Sequence, residues 1–306
     1  MKSKFKILVI MMIVLLAAVV CYKVFLKNTL IPSTNKLKIV ATFYPLAHFA
    51  SQVGGSLVDV QNITPAGAEP HDYEPTPQDI VKVYDSRIFI LNGGGLDTWA
   101  EKIEPDIKSS GIEVINMHNV IDFIKLTDKN FAFDPHIWLD PVLVQQETRA
   151  IKDALARVDP GNAGVYGANA ENYVSKLKDL DGQYQSGLAN CRIHDIITSH
   201  SAFEYLAKRY NFNQISVTGL SPDAEPSSQK IAEISYLAKN KNIKYIFFET
   251  LVSPKISQTI ANEIGAQAIA FNPLEGLTKE EINSGKTYLS EMQNNLVILR
   301  KALECE

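Results

Sequence analysis

An excess of basic charge is missing from this 306-residue chain. Thirty Lys and Arg stand against 34 Asp and Glu, the net charge is −4, and no dense basic stripe lies beyond the N-terminus. A nucleic-acid partner is therefore not expected. Cysteine is scarce as well, with three in total. Only Cys191 and Cys305 belong to the body of the chain, so it can close one disulfide at most, or else carries two unrelated thiols. The Cα separation that decides between them is not in the sequence. Low-complexity tracts and short repeats are also absent. So are a local HExxH metal motif and any oxyanion or nucleophile motif that would furnish a hydrolase. What remains is a chain with 46% apolar and 21% charged residues, an ordinary folded composition of about two domains.

The N-terminus departs from that average. "MKSKFK" carries three lysines, and an unbroken apolar run follows from Ile7 to Tyr22. A basic segment followed by an apolar one addresses a chain to the export machinery. The run falls short of the roughly 20 residues that span a bilayer. Val24, Phe25 and Leu26 extend it past Lys23, so an uncleaved anchor stays open. Cys21 stands where a lipoprotein's modified cysteine would, although Val20 occupies a site where a small residue is usual. Residues 1–26 thus read as signal peptide or membrane anchor, and 27–36 as a polar tether. The body is expected outside the cytoplasm, attached to a membrane through its N-terminus.

Along that body, short apolar runs alternate with helical stretches. "LKIVAT", "VDVQNI", "RIFIL" and "IEVIN" read as strands, with a helix from Pro45 to Val53 after the first. After Pro160 about 30 residues pass without a strand signal, while Tyr166, Tyr173, Leu177, Tyr184 and Leu188 recur near helical spacing. Alternation then resumes through "DIITS", "SAFEYLAKRY", "QISVTG", "SSQKIAEISYLAKN", "IKYIFFE", "SPKISQTIANEIG" and "AQAIAF", and the end is helical from about Lys286. The expected fold is α/β, with two lobes that each hold a parallel central sheet flanked by helices. The N-terminal lobe is 37–160, a single connecting helix 161–190, and the C-terminal lobe 191–306.

Six histidines mark the candidate chemistry. His48 sits mid-helix and reads as packed or solvated, and His118 and His194 as surface residues. His71 in "EPHDYEP" and His136 in "DPHIWLDP" occupy rigid, acidic turns. His200 follows the strand "DIITS", at the end where open α/β sheets bind ligands, though it can equally cap the helix that follows. Glu275 lies past the strand "AQAIAF" and alone would be a solvated loop acid. Together, three imidazoles and one carboxylate make a closed four-coordinate set suited to Zn2+. Pro70, Pro135 and Pro273 stiffen the chain beside the ligands, which lowers the entropy lost on binding.

These residues carry a resemblance. "ATFYPLAHFASQVGG", "EPHDYEPTPQDI", "NGGGLDTW", "DPHIWLDP", "ITSHSAFEYLAKRY", "GLSPDAEPSSQKI" and "FNPLEGLT" follow one another as in the metal-binding solute-binding proteins of ABC importers, specifically the zinc-uptake branch. The likeness spans residues 37–304. It implies two lobes, a rigid connecting helix and one metal in the cleft, with His71, His136, His200 and Glu275 as its ligands. A histidine at 200 matches zinc binders, where manganese relatives tend to carry an acid. Many zinc-binding relatives insert a long His-rich loop, whereas 117–133 here contains only His118. Glu69, Asp134, Asp140 and Glu249 are candidates to accept the second N–H of a ligand imidazole, or else ordinary cap and turn residues.

The implied function is a monomeric receptor, not an enzyme. It would capture one Zn2+ and pass it to an integral-membrane ABC permease with its cytoplasmic ATPase, releasing it by loop movement around His200 or Glu275. The alternatives are a manganese or iron receptor on the same fold, a zinc hydrolase with Glu275 as general base, and a metal-stabilised adhesin.

Overall fold

A computed structural model describes residues 36–126, 132–222 and 224–306, and also Met11, Met12 and Leu15. The remaining leader residues, Cys21 and the tether through residue 35 lie outside the described residues. Among the described residues, no helix is long and apolar enough to cross a membrane.

Strand β1 (Leu37–Ala41) pairs in parallel with β2 (Val58–Asn62) on one side and β3 (Ile88–Leu91) on the other, and β3 pairs with β4 (Glu113–Asn116). All four residues of β3, "IFIL", are buried, as expected of a parallel strand covered on both faces. The coverings are α1 (Tyr44–Gly54), α2 (Pro77–Tyr84) and α3 (Thr98–Ser109), one after each of the first three strands. Thr76 starts α2 with a reciprocal capping box to Asp79, which fixes the far end of the loop that holds His71.

Two helices follow before the next strand. Helix α4 (Pro141–Val158) starts at a proline behind the N-cap Asp140. Helix α5 (Ala163–Gly187) has 25 residues and is about 37 Å long at 1.5 Å per residue. Tyr166, Tyr173, Leu177, Tyr184 and Leu188, the apolar series read from the sequence, are all buried.

The second sheet repeats the order of the first. Strands β5 (Asp195–Thr198), β6 (Asn213–Ser216), β7 (Tyr245–Phe248) and β8 (Gln267–Ala270) run β6-β5-β7-β8, just as the first sheet runs β2-β1-β3-β4. Helices α6 (Glu204–Tyr210), α7 (Ser228–Asn240) and α8 (Lys255–Ile264) connect them, and α9 (Lys279–Asn283) and α10 (Tyr288–Ala302) end the chain. Helix α6 begins three residues later than "SAFEYLAKRY" suggests. Ser201 N–H is drawn to Gly219 O and Phe203 N–H to Gln214 Oε1, which holds the entry segment irregular.

The core explains why the two sheets act together. One apolar cluster runs from Ile39 and Phe49 through Trp138, Tyr173 and Tyr184 to Phe203, Phe271 and Leu299, so it crosses from lobe to lobe. Two smaller clusters line the outer faces of the sheets. Phe43 meets Trp138 edge-on at 4.8 Å, and Phe49 meets Tyr288 at 5.0 Å. Within this core the Tyr184 hydroxyl donates to Met292 O and that of Tyr288 to Trp138 O, whereas the buried Tyr173 hydroxyl has no partner among the described residues.

Cys191 and Cys305 form a disulfide with their Cα atoms 3.9 Å apart. Ile193 N–H to Leu303 O and Glu306 N–H to Asn190 O flank it, so the chain end is stapled beside the segment leading into β5. Because the bond closes a separation of 114 residues, reduction is expected to cost about 2–4 kcal/mol of stability, measurable by urea unfolding with and without reductant. His48 supplies a second test. It lies against Tyr44, Phe49, Tyr173 and Tyr288, and burial pushes its imidazole down to about 4. Below about 6.5 the unfolded chain takes up a proton that the folded one refuses. Stability should thus fall as pH drops from about 6.5 to about 4, and His48→Leu should flatten that slope in pH-dependent denaturation.

Candidate metal centre

Each sheet presents its strand ends to the space between the lobes. Both strand orders reverse direction between the first and third strands, the position where α/β sheets open a crevice. His200 and Glu249 lie just past β5 and β7 at that position, His71 follows β2, His136 follows β4, and Glu275 follows β8.

His71 sits in a loop turned by Gly67 at φ +86°, a conformation that favours glycine. Gly67 N–H donates to Leu277 O, which ties the loop to the second lobe. His136 is fixed by Asp134, whose Oδ1 accepts both the His136 backbone N–H at 3.0 Å and ring Nδ1 at 2.7 Å. Asn92 Nδ2 holds the preceding Pro135 carbonyl at 3.0 Å. His200 is fixed through its own carbonyl, which accepts from Thr198 Oγ1 and Gln214 Nε2, both at 2.7 Å. Its Nδ1 lies 2.5 Å from Glu249 Oε1, and Ser199 Oγ donates to the same oxygen.

Glu275 depends on the last helix. Asn295 accepts from Asn272 N–H at 3.1 Å and donates to Asn272 O at 2.7 Å, while Asn272 Oδ1 accepts Leu274 N–H at 2.8 Å. That brace holds Leu274 at φ +58°, fully buried. From the first lobe, Trp138 Nε1 donates to Pro273 O at 2.8 Å.

The four side chains converge. Nε2 of His136 lies 3.3 Å from Nε2 of His71 and 3.3 Å from Nε2 of His200. Glu275 Oε1 lies 3.4 Å from His71, 3.3 Å from His136 and 3.1 Å from His200. All four ligand atoms lie within 4.8 Å of one another, and five of their six separations are close to the edge of about 3.3 Å that a tetrahedral zinc site with bonds of about 2.0 Å requires. With Nδ1–H donated to Asp134 and Glu249, the Nε2 lone pairs of His136 and His200 face that centre.

The electrostatics suit a cation. Burial pushes the Glu275 carboxyl up, but the surrounding imidazoles, His200 foremost, outweigh it and hold Glu275 well below the usual carboxylate range. Burial lowers His200, yet Glu249 and Glu275 raise it well above an ordinary histidine. His136 is raised against burial by Asp134, whereas for His71 burial prevails and lowers it. Burial, then the Glu275 charge, pushes Glu69 up to about 10. A divalent ion entering here replaces protons.

Two expected imidazole partners are corrected. Asp140 touches no imidazole: it caps α4 by accepting Val142 N–H at 2.8 Å and pairs with Arg209. Glu69 accepts the His71 backbone N–H at 3.3 Å rather than a ring proton. His118 is also no simple surface residue, since its ring packs edge-on against Phe123 and Phe133 at 4.8 and 4.5 Å. His194 is exposed, as expected. Sequence reasoning did not single out Trp138, Tyr205, Arg209 or Asn295; Trp138 lies within the quoted "DPHIWLDP", Tyr205 and Arg209 lie within "ITSHSAFEYLAKRY", and Asn295 carries no local signal. Replacing Glu249 by Gln should weaken divalent-metal affinity by roughly 10–100-fold, read by competition with a chelator, while the circular dichroism spectrum stays unchanged.

Comparison with known proteins agrees with this geometry. Residues 39–302 match the family described as zinc-uptake complex component A, periplasmic. The high-affinity zinc uptake system protein ZnuA of Bacillus subtilis (strain 168) is 37% identical over 281 residues, 88% of this chain and 88% of that protein. The zinc-binding protein AdcA of Streptococcus pyogenes is 38% identical over 287 residues, 87% of this chain but 56% of AdcA. Among solved structures, the Zn(II)-bound ZnuA-like domain of Streptococcus pneumoniae AdcA has a TM-score of 0.78 at 36% identity, covering 88% of this chain and 100% of the domain. The laminin-binding protein Lmb of Streptococcus agalactiae, described as bifunctional with adhesin and metal-transporting activity, has a TM-score of 0.81 at 32% identity, covering 88% of this chain and 100% of Lmb. Shared sequence along nearly the whole described body, on a shared fold, means that the chain belongs to the zinc-uptake family of solute-binding proteins.

Proposed function

We propose that the protein is an extracytoplasmic receptor that binds one Zn2+ through His71, His136, His200 and Glu275. It would deliver the ion, as a tethered monomer, to an ABC-importer permease with its cytoplasmic ATPase. Residues 37–160 and 191–306 act as the two lobes in this reading, with 161–190 as the strut between them. The observation that carries it is the convergence of three Nε2 atoms and one carboxylate oxygen within 4.8 Å of one another, with five of their six spacings at 3.1–3.4 Å. Three imidazoles and one carboxylate form a nitrogen-rich set, unlike the oxygen-rich octahedral sites that suit manganese. Four protein ligands in a closed set leave no coordination position for a reacting water, which supports a carrier over a hydrolase. The export signal read in residues 1–26 supports the location, and the names of the relatives support the cargo.

The test is metal content and competitive affinity of the purified protein, beside His200→Ala and Glu275→Ala. One Zn2+ per chain is expected, not displaced by excess Mn2+, with each substitution weakening binding beyond the roughly 100-fold ceiling typical of outer contacts. Retention should decline as pH falls below about 6.5, because protons compete for the imidazoles. Stoichiometric preference for Mn2+ would reassign the cargo, and no tightly held metal would sink the receptor reading.

A further inference from the structure

Helix α6 begins directly after the His200 segment and sends two side chains toward the other lobe. Tyr205 and Arg209 lie one turn apart and so share a helix face. The Tyr205 hydroxyl donates to Asp134 O at 2.8 Å and accepts Ile124 N–H at 2.8 Å. The Arg209 guanidinium donates through Nε to Asp140 Oδ1. Asp134 and Asp140 bracket His136, so one helix of the second lobe grips both ends of the segment that carries a ligand of the first.

The grip has a firm base. Gln214 holds the His200 carbonyl and the Phe203 N–H, at 2.7 and 2.8 Å, and thereby fixes the root of α6 to β6. At the far end, Tyr210 donates to Asp181 on α5 at 2.9 Å and stacks on Tyr184. Tyr205 is 5% exposed, so its two bonds have little competition from water. Asp134 belongs to both parts of the arrangement, since its carbonyl takes Tyr205 and its carboxylate takes the His136 ring.

We propose that Tyr205 and Arg209 are positioning residues that lock the His136 and His200 segments into one rigid pair across the lobes, and so set the rate at which bound metal leaves. This rests on the receptor reading above. His200 does not swing alone: any displacement of its segment drags Asp134, and with it His136, or first breaks the Tyr205 and Arg209 contacts. Loop movement confined to His200 is therefore not the route of release. Both residues act through other groups, because neither touches the metal-facing atoms.

The experiment is the rate of zinc loss from the full chain to excess chelator in a stopped-flow instrument, for the wild type, Tyr205→Phe, Arg209→Gln and Arg209→Lys. Tyr166→Phe serves as a control that removes another buried tyrosine hydroxyl bond, to Asp159, outside the site. Tyr205→Phe and Arg209→Gln should each speed zinc loss about tenfold with the association rate unchanged, and Arg209→Lys should restore part of the slow rate by keeping the charge. Tyr166→Phe should lower the melting temperature and leave the rate alone. Wild-type rates in both Tyr205→Phe and Arg209→Gln, whatever their melting temperatures, would overturn the clamp while leaving the receptor reading intact. If Tyr205→Phe does not fold, the Arg209 pair decides: equal rates in Gln, Lys and wild type overturn the proposal. A wild type that retains no zinc would overturn the receptor reading and the clamp with it.

Discussion

Everything near the cleft answers to one requirement: three imidazole nitrogens and a carboxylate oxygen must converge within 4.8 Å of one another in a buried space. Groups of that polarity are costly to bury unless each is oriented by a further partner. The surrounding structure supplies such partners to His136 and His200, while Glu275 Oε2 is left without one among the described residues. Asp134 and Glu249 set the two best-buried imidazoles, and Asn92, Gln214 and Asn295 hold the backbone on either side of the ligands. The pattern is that of a site organised before its cargo arrives, which reduces the ordering cost of binding.

The second constraint is the shared core. Helices α1, α4, α5 and α10 bury one apolar cluster that runs under both sheets. Separate lobes with separate cores would permit a wide hinge. Here such a motion would expose Trp138, Tyr173 and Tyr288, each at most 2% exposed, at about 1.5–3 kcal/mol or more per large side chain. Opening of the cleft is therefore confined to loops and short segments.

Much of this was legible in the chain. The strands announced themselves because buried parallel strands are short, uniformly apolar runs, and "RIFIL" is the clearest. The four converging side chains were legible because stiff, acidic turns around a histidine are unusual and because strand ends are where such folds bind. The rest was hidden for physical reasons. Asp134 and Asp140 look alike on paper, each a few residues from His136 and each beside a proline. Only the folded backbone turns one toward the imidazole and the other toward a helix end and Arg209. Tyr205 and Arg209 form an ordinary helical spacing whose partners lie some 70 residues away. The late start of α6 depended on a glutamine in the next strand.

The brace on Glu275 also reaches into the staple. Asn295 sits on α10, the helix that runs into Cys305, and the disulfide pins that stretch beside the segment that enters β5 and ends at His200. One covalent bond thus secures the roots of two of the four chelating side chains at once.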